Sequence, residues 1–175
     1  MLPLSLSQTH GITVVVGLPP KELILEVIAQ LALLRSVQVV VGGNPFDVYK
    51  LARIIRRRTL LLDQTLGQIH QTRPFTCYQM LKLLADINPD TPVVVSDMLT
   101  TFYDENLSDE ESVRLVSLAI GHLRRLGQIV PVLVMINFPP PVMNARAVLV
   151  KLLQDSADQV FIHEPPIAPV QPTLL

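Results

Sequence analysis

Only one cysteine, Cys77, occurs among the 175 residues, so no internal disulfide can form and a reducing, cytoplasmic setting is expected. No stretch approaches the roughly 18 consecutive apolar residues that a membrane span needs, so no membrane partner is expected. The opening residues 1–10 carry neither the basic patch nor the long apolar segment of a secretory signal. Charge is nearly balanced, 14 basic against 15 acidic residues. That argues against a strongly electrostatic nucleic-acid binder, while leaving room for a local patch. His10, His70, His122 and His163 show no metal-ligand spacing with one another or with Cys77, and no metal site is assigned. Ser5, Ser7 and Ser96 sit outside any G-x-S-x-G elbow, which leaves acyl-transfer chemistry without support. Internal repeats and interdomain linkers are missing too.

A glycine-rich phosphate loop is the most telling absence. Residues 12–17 (ITVVVG) read as a buried strand, and 21–35 as the helix after it. Between them stands Leu18-Pro19-Pro20, where a nucleotide site would need G-x-x-x-x-G-K-[ST]. In that motif backbone amides cradle phosphate and the hydroxyl reaches Mg²⁺. Here three residues separate Gly17 from Lys21, and Glu22 follows in place of Ser or Thr. Proline supplies no N–H, and Glu22 sets negative charge where phosphate would sit.

What is present is an apolar chain, 49% hydrophobic with a mean hydropathy of +0.42. That excludes wholesale disorder and suits one domain with a full core. Six short β-branched runs, at 12–16, 37–41, 60–62, 93–95, 132–136 and 159–162, are mostly continuous, as expected for strands covered on both faces. Helical patterns lie between them. The first, 21–35, is apolar nearly all round, with one polar stripe at Glu22, Glu26 and Gln30. The second is predicted over 44–58, opening at Asn44-Pro45, and the third over 76–87, ending before Asn88-Pro89. The fourth opens on the capping box Ser108-Asp109-Glu110-Glu111, sets Val113, Val116, Ile120 and Leu123 on one face, and closes at Gly127. A fifth covers roughly 145–154. The alternation predicts an α/β fold, a three-layer, mostly parallel, doubly wound sheet in a single domain. The domain plan is an N-terminal extension over 1–10, a core over 11–164 and a proline-rich, extended or flexible tail over 165–175.

Five segments carry a family likeness. They are ITVVVG with its apolar helix, VQVVVGGNPFDVYKLARII, the stretch Ile69-His70-Gln71-Thr72-Arg73-Pro74-Phe75 leading into Tyr78-Gln79-Met80-Leu81, TPVVVSDMLTTFYDE and VPVLVMINF. In this order they resemble the core of the RecA/RadA recombinase superfamily, its archaeal and eukaryotic branch above all, over residues 11–164. The resemblance implies a RecA-like P-loop NTPase fold whose Walker B strand ends at Asp97. It also exposes departures. The phosphate loop is short and lacks the second glycine and the Ser/Thr. Gly42-Gly43-Asn44 stands where the family has its catalytic glutamate, and Phe138 stands where a sensor glutamine would follow Asn137. The long DNA-binding loops are replaced by Phe138-Pro139-Pro140-Pro141, and no N-terminal helical DNA-binding domain is expected. ATP hydrolysis is therefore not expected of this chain, and no catalytic residue is assigned.

Candidate residues follow from both readings. Gly17, Lys21 and Asp97 are the cofactor-binding candidates if Mg-ATP binds, with Asp97 holding Mg²⁺ through water. Otherwise no cofactor is expected, Lys21 is a solvated lysine and Asp97 turns the segment after its strand. Arg53, Arg56, Arg57 and Arg58 close the second helix, where they suit the helix dipole and would also suit DNA phosphates. Arg114, His122, Arg124 and Arg125 read as solvent-facing, with subunit contact or DNA backbone as the alternative. Cys77 reads as packed, with an activated thiol as the alternative. Three functions remain open at this point. One is a non-hydrolysing RecA-like accessory or interaction protein in DNA repair or recombination with weak DNA binding. Another is an ATP-binding protein or ATPase with an atypical loop. The third is a small-molecule binder at the sheet crevice, where Gly42-Gly43-Asn44 gives a ligand room. An exposed sheet edge favours a homo-dimer or a partner protein subunit.

Overall fold

The computed structural model describes residues 10–17, 19 and 21–163. Most of the predicted N-terminal extension, the proline-rich tail, and Leu18 and Pro20 of the first strand–helix turn lie outside the described residues. Six strands form one sheet: β1 Gly11–Val16, β2 Val37–Val41, β3 Ile69–Thr72, β4 Val93–Ser96, β5 Pro131–Ile136 and β6 Gln159–Ile162. Their order is β3-β2-β4-β5-β1-β6, and every pairing is parallel. Parallel neighbours need long crossovers, and helices supply them. Helices α1 (Lys21–Leu34), α2 (Val48–Arg56) and α3 (Leu62–Gly67) pack together on one face. On the other lie α4 (Cys77–Asp86), α5 (Asp109–Gly127) and α6 (Ala147–Ser156). The result is a three-layer α/β/α fold.

Strand periodicity divides the core in two. Ile12, Val14 and Val16 of β1, with Val93 and Val95 of β4, point into the cluster beneath α4–α6. Val15 and Val94 point the other way, into the cluster around Ile24, Leu25 and Ile28 of α1. Because both of their faces are covered, the central strands β1, β4 and β5 contain almost no polar residue.

Several boundaries differ from expectation. No strand forms at 60–62. Leu60 is fully exposed, and α3 begins at Leu62. The missing strand is β3 at Ile69–Thr72, an edge strand whose side chains are mostly exposed and which therefore carries no apolar run. Helix α2 starts later than Asn44-Pro45. Asp47 is its cap, its carboxylate accepting from the Lys50 amide at 3.0 Å, which leaves 44–47 as a loop. At α5 the expected cap forms, Ser108 Oγ accepting from the Glu111 amide at 3.2 Å. Gly127, however, is still helical, and its smallness serves packing: a Cβ there would stand 2.8 Å from Ile12 Cγ1. A 3₁₀ segment, Pro141–Arg146, precedes α6.

Candidate functional site

All six strands end at the same edge of the sheet. From there β1 and β2 lead to helices on one face, whereas β4 and β5 lead to the other. Loops that part in this way leave a crevice at the carboxyl edge. It encloses about 300 Å³. Pro19, Ile24, Pro45 and Phe46 supply apolar walls, while Lys21, Asn44, Ser96 and Asp97 supply the polar groups.

Asp97 follows β4 directly and sits in the left-handed region at φ 54, ψ 43. The two glycines after β2 fit against it. A Cβ on Gly42 would lie 2.4 Å from the Asp97 carbonyl oxygen, and one on Gly43 would lie 1.9 Å from Asp97 Oδ2. Asp97 thus fills the space over Gly42 and Gly43, while Asn44 of the same turn lines the crevice. Asp97 Oδ1 is buried and accepts no hydrogen bond. Arg73 braces the glycine turn, its Nε donating to the Gly43 carbonyl at 3.1 Å while its guanidinium lies 5.2 Å over the Phe75 ring. Tyr103 Oη donates to the Asn137 carbonyl at 2.7 Å, tying the segment after β4 to the end of β5. Burial, and secondly the charge of Asp97, pushes the Tyr103 phenol above its ordinary range.

The turn after β1 is occupied by the protein's own groups. Gly17 has φ +85; its amide donates to the Ile136 carbonyl at 2.8 Å, and a Cβ there would meet the His163 carbonyl oxygen at 2.4 Å. Gly17 closes the sheet. Lys21, the first residue of α1, is exposed and forms no ion pair among the described residues. The Glu22 carboxylate accepts from its own backbone amide in the first turn of α1 and from Lys50 Nζ at 3.2 Å, which holds it below the usual carboxylate range. At this turn the Gly17 amide is spent on Ile136, Pro19 offers no amide, and the Glu22 carboxylate stands in the first turn of α1.

No protein-family model matches the chain, and no curated protein is significantly similar to it. The site is therefore read on its own geometry.

The arginines form a separate group. Arg53, Arg56, Arg57 and Arg58 are all exposed, but α2 starts beside the crevice and runs away from it, so they stand at its far end. Arg58 pairs with Glu26 of α1. Arg53, Arg56 and Arg57 form no ion pair among the described residues. Arg125, expected to face solvent, instead donates to the carbonyls of Leu84, Ala85 and Ile87 at 2.9, 3.1 and 3.1 Å. Arg114 is held by Glu111, and Arg124 is exposed.

Sequence reasoning missed Arg73, Tyr103 and Arg146. Arg146 is 5% exposed and donates to the carbonyls of Phe102 at 2.9 Å, Asp104 at 2.6 Å and Leu107, and to Asp109 Oδ1 at 3.0 Å. Its partners lie some 40 positions upstream, a distance at which no spacing rule operates. Cys77 is buried at the start of α4, and desolvation raises its thiol pKa, as a packed cysteine requires. Among the described residues no group of three or more His, Cys, Asp or Glu side chains could hold a metal ion.

Proposed function

We propose that the chain is a RecA-like accessory protein that does not hydrolyse ATP. It acts through protein contacts in DNA repair or recombination, as a homo-dimer or as one subunit beside a partner protein. One observation carries the reading: where a phosphate loop would present amides, the chain presents two prolines, a Gly17 amide bonded to Ile136 and the Glu22 carboxylate. The order of segments, with Asp97 ending a buried strand beside β2 and β5, supports the RecA-like part. The setting in repair or recombination rests on the resemblance alone. β3 and β6 are edge strands able to pair with another chain, and the unpaired Arg53, Arg56 and Arg57 suit weak contact with DNA phosphates.

Thermal unfolding with Mg-ATP tests the central claim. Millimolar Mg-ATP is expected to leave Tm within about 1 °C, because a ligand stabilises only by binding the folded state. A rise of several degrees that disappears in Lys21→Ala/Asp97→Ala would instead make the chain a nucleotide binder. Single-stranded DNA is expected to bind weakly, with a salt dependence that flattens in Arg56→Ala/Arg57→Ala.

A further inference from the structure

Two opposite charges, Lys21 and Asp97, line the apolar crevice. Asp97 Oδ1 is buried without a donor. The Asp97 backbone is held in the left-handed region, with Gly42 packed against its carbonyl oxygen. Arg73 Nε is turned to the Gly43 carbonyl and the Tyr103 hydroxyl to Asn137. Lys21 lines the same crevice, is exposed and forms no ion pair among the described residues, its neighbour Glu22 being bridged by Lys50. Asp97 and Lys21 both belong to the crevice lining, which sets one anion and one cation before a single ligand.

We propose that the crevice binds a small zwitterion with an apolar body, an α-amino acid bearing an aliphatic or aromatic side chain. Its ammonium meets Asp97 and its carboxylate meets Lys21. The side chain lies against Ile24 and Phe46. The volume of about 300 Å³ is at the small end of ligand pockets, which suits an amino acid. Apolar walls with one anion and one cation disfavour a polyanion, whose excess charge would face Asp97. The place is also where open parallel sheets offer their crevice. The site goes beyond the accessory reading and does not depend on it, so the Mg-ATP and DNA measurements leave it untouched.

Calorimetric titration of the full chain with L-phenylalanine and L-leucine tests the site. Phenethylamine serves as the analogue with the cation only, and 3-phenylpropionate as the analogue with the anion only. The amino acids are expected to bind, and each single-charge analogue to bind at least tenfold more weakly. Asp97→Asn and Lys21→Met should each weaken amino-acid binding at least tenfold. Lys21 is exposed, so Lys21→Met keeps the test sound even if Asp97→Asn fails to fold. The proposal falls if neither amino acid binds at millimolar concentration. It falls equally if phenethylamine matches phenylalanine, or if folded Lys21→Met or Asp97→Asn binds like the parent chain.

Discussion

Gly17 and Gly43 occupy positions at the carboxyl edge where any side chain must displace something. At Gly17 a new Cβ faces a backbone oxygen, His163 O at 2.4 Å, and the residue must also hold φ +85. Neither constraint relaxes cheaply, so Gly17→Ala is expected to cost about 2–4 kcal/mol. At Gly43 the obstacle is the end of a side chain, Asp97 Oδ2, and a cost of about 1–2 kcal/mol is expected as the carboxylate swings aside. Urea unfolding gives both values, and a Gly43→Ala chain as costly as Gly17→Ala would mean that Asp97 cannot move. Tyr103 makes a pH prediction. Its folded pKa is raised, so the unfolded chain loses the phenol proton from about pH 10 while the native chain keeps it. The contribution is full below pH 10 and declines as pH rises. Stability should therefore fall as pH rises above about 10, and fall less steeply in Tyr103→Phe, which lacks the titrating group. At this level the sequence was informative where a residue ends a hydrophobic strand, as Asp97 does. It was silent on Arg73 and Arg146, whose partners are carbonyls brought near only by folding.

Helix α4 ends without a basic residue in its last turn, and Arg125 of α5 supplies the missing donors by reaching three of its closing carbonyls. Helix termini leave such carbonyls orphaned, and a charged donor shared among them is worth about 1.5–3 kcal/mol. Arg125→Met should cost about that much. It should also speed amide hydrogen exchange near Ile87, while Arg124→Met, at an exposed neighbour, should do neither. Equal effects of the two would mean that the charge of α5 matters and the capping does not. The pattern of elements recovered from sequence follows the same physics. β1, β2, β4, β5 and β6 were found within a residue or two because most are apolar on both faces. β3 was missed because an edge strand reading Ile-His-Gln-Thr has little apolar signal, and Leu60-Leu61-Leu62, apolar but exposed at its start, imitated one. At α2 the sequence pattern places the cap at Asn44, whereas the fold brings the Asp47 carboxylate to the Lys50 amide.

The sheet is the shared wall of both cores, and this governs how the molecule unfolds. Val94 and Val95 are adjacent in β4 and fully buried, yet Val94 belongs to the cluster with α1 and Val95 to the cluster with α5. Neither helical layer can keep its apolar face covered once the strands separate, so the two cores should be lost together. Truncating either valine to alanine removes two methyl groups at about 0.8 kcal/mol each and leaves a cavity, for an expected loss of about 2–3 kcal/mol at either site. Circular dichroism in urea should show one transition for the parent, for Val94→Ala and for Val95→Ala, with shifted midpoints and an unchanged slope. Two resolved steps in one variant would show that a helical layer detaches by itself. That outcome would change the view of the crevice as well, because Lys21 and Ile24 come from the α1 layer and Asp97 from the strand it covers. A crevice built across layers that unfold as one keeps its walls fixed relative to Asp97. Its two charges then meet a ligand already in place, with little ordering left to oppose binding.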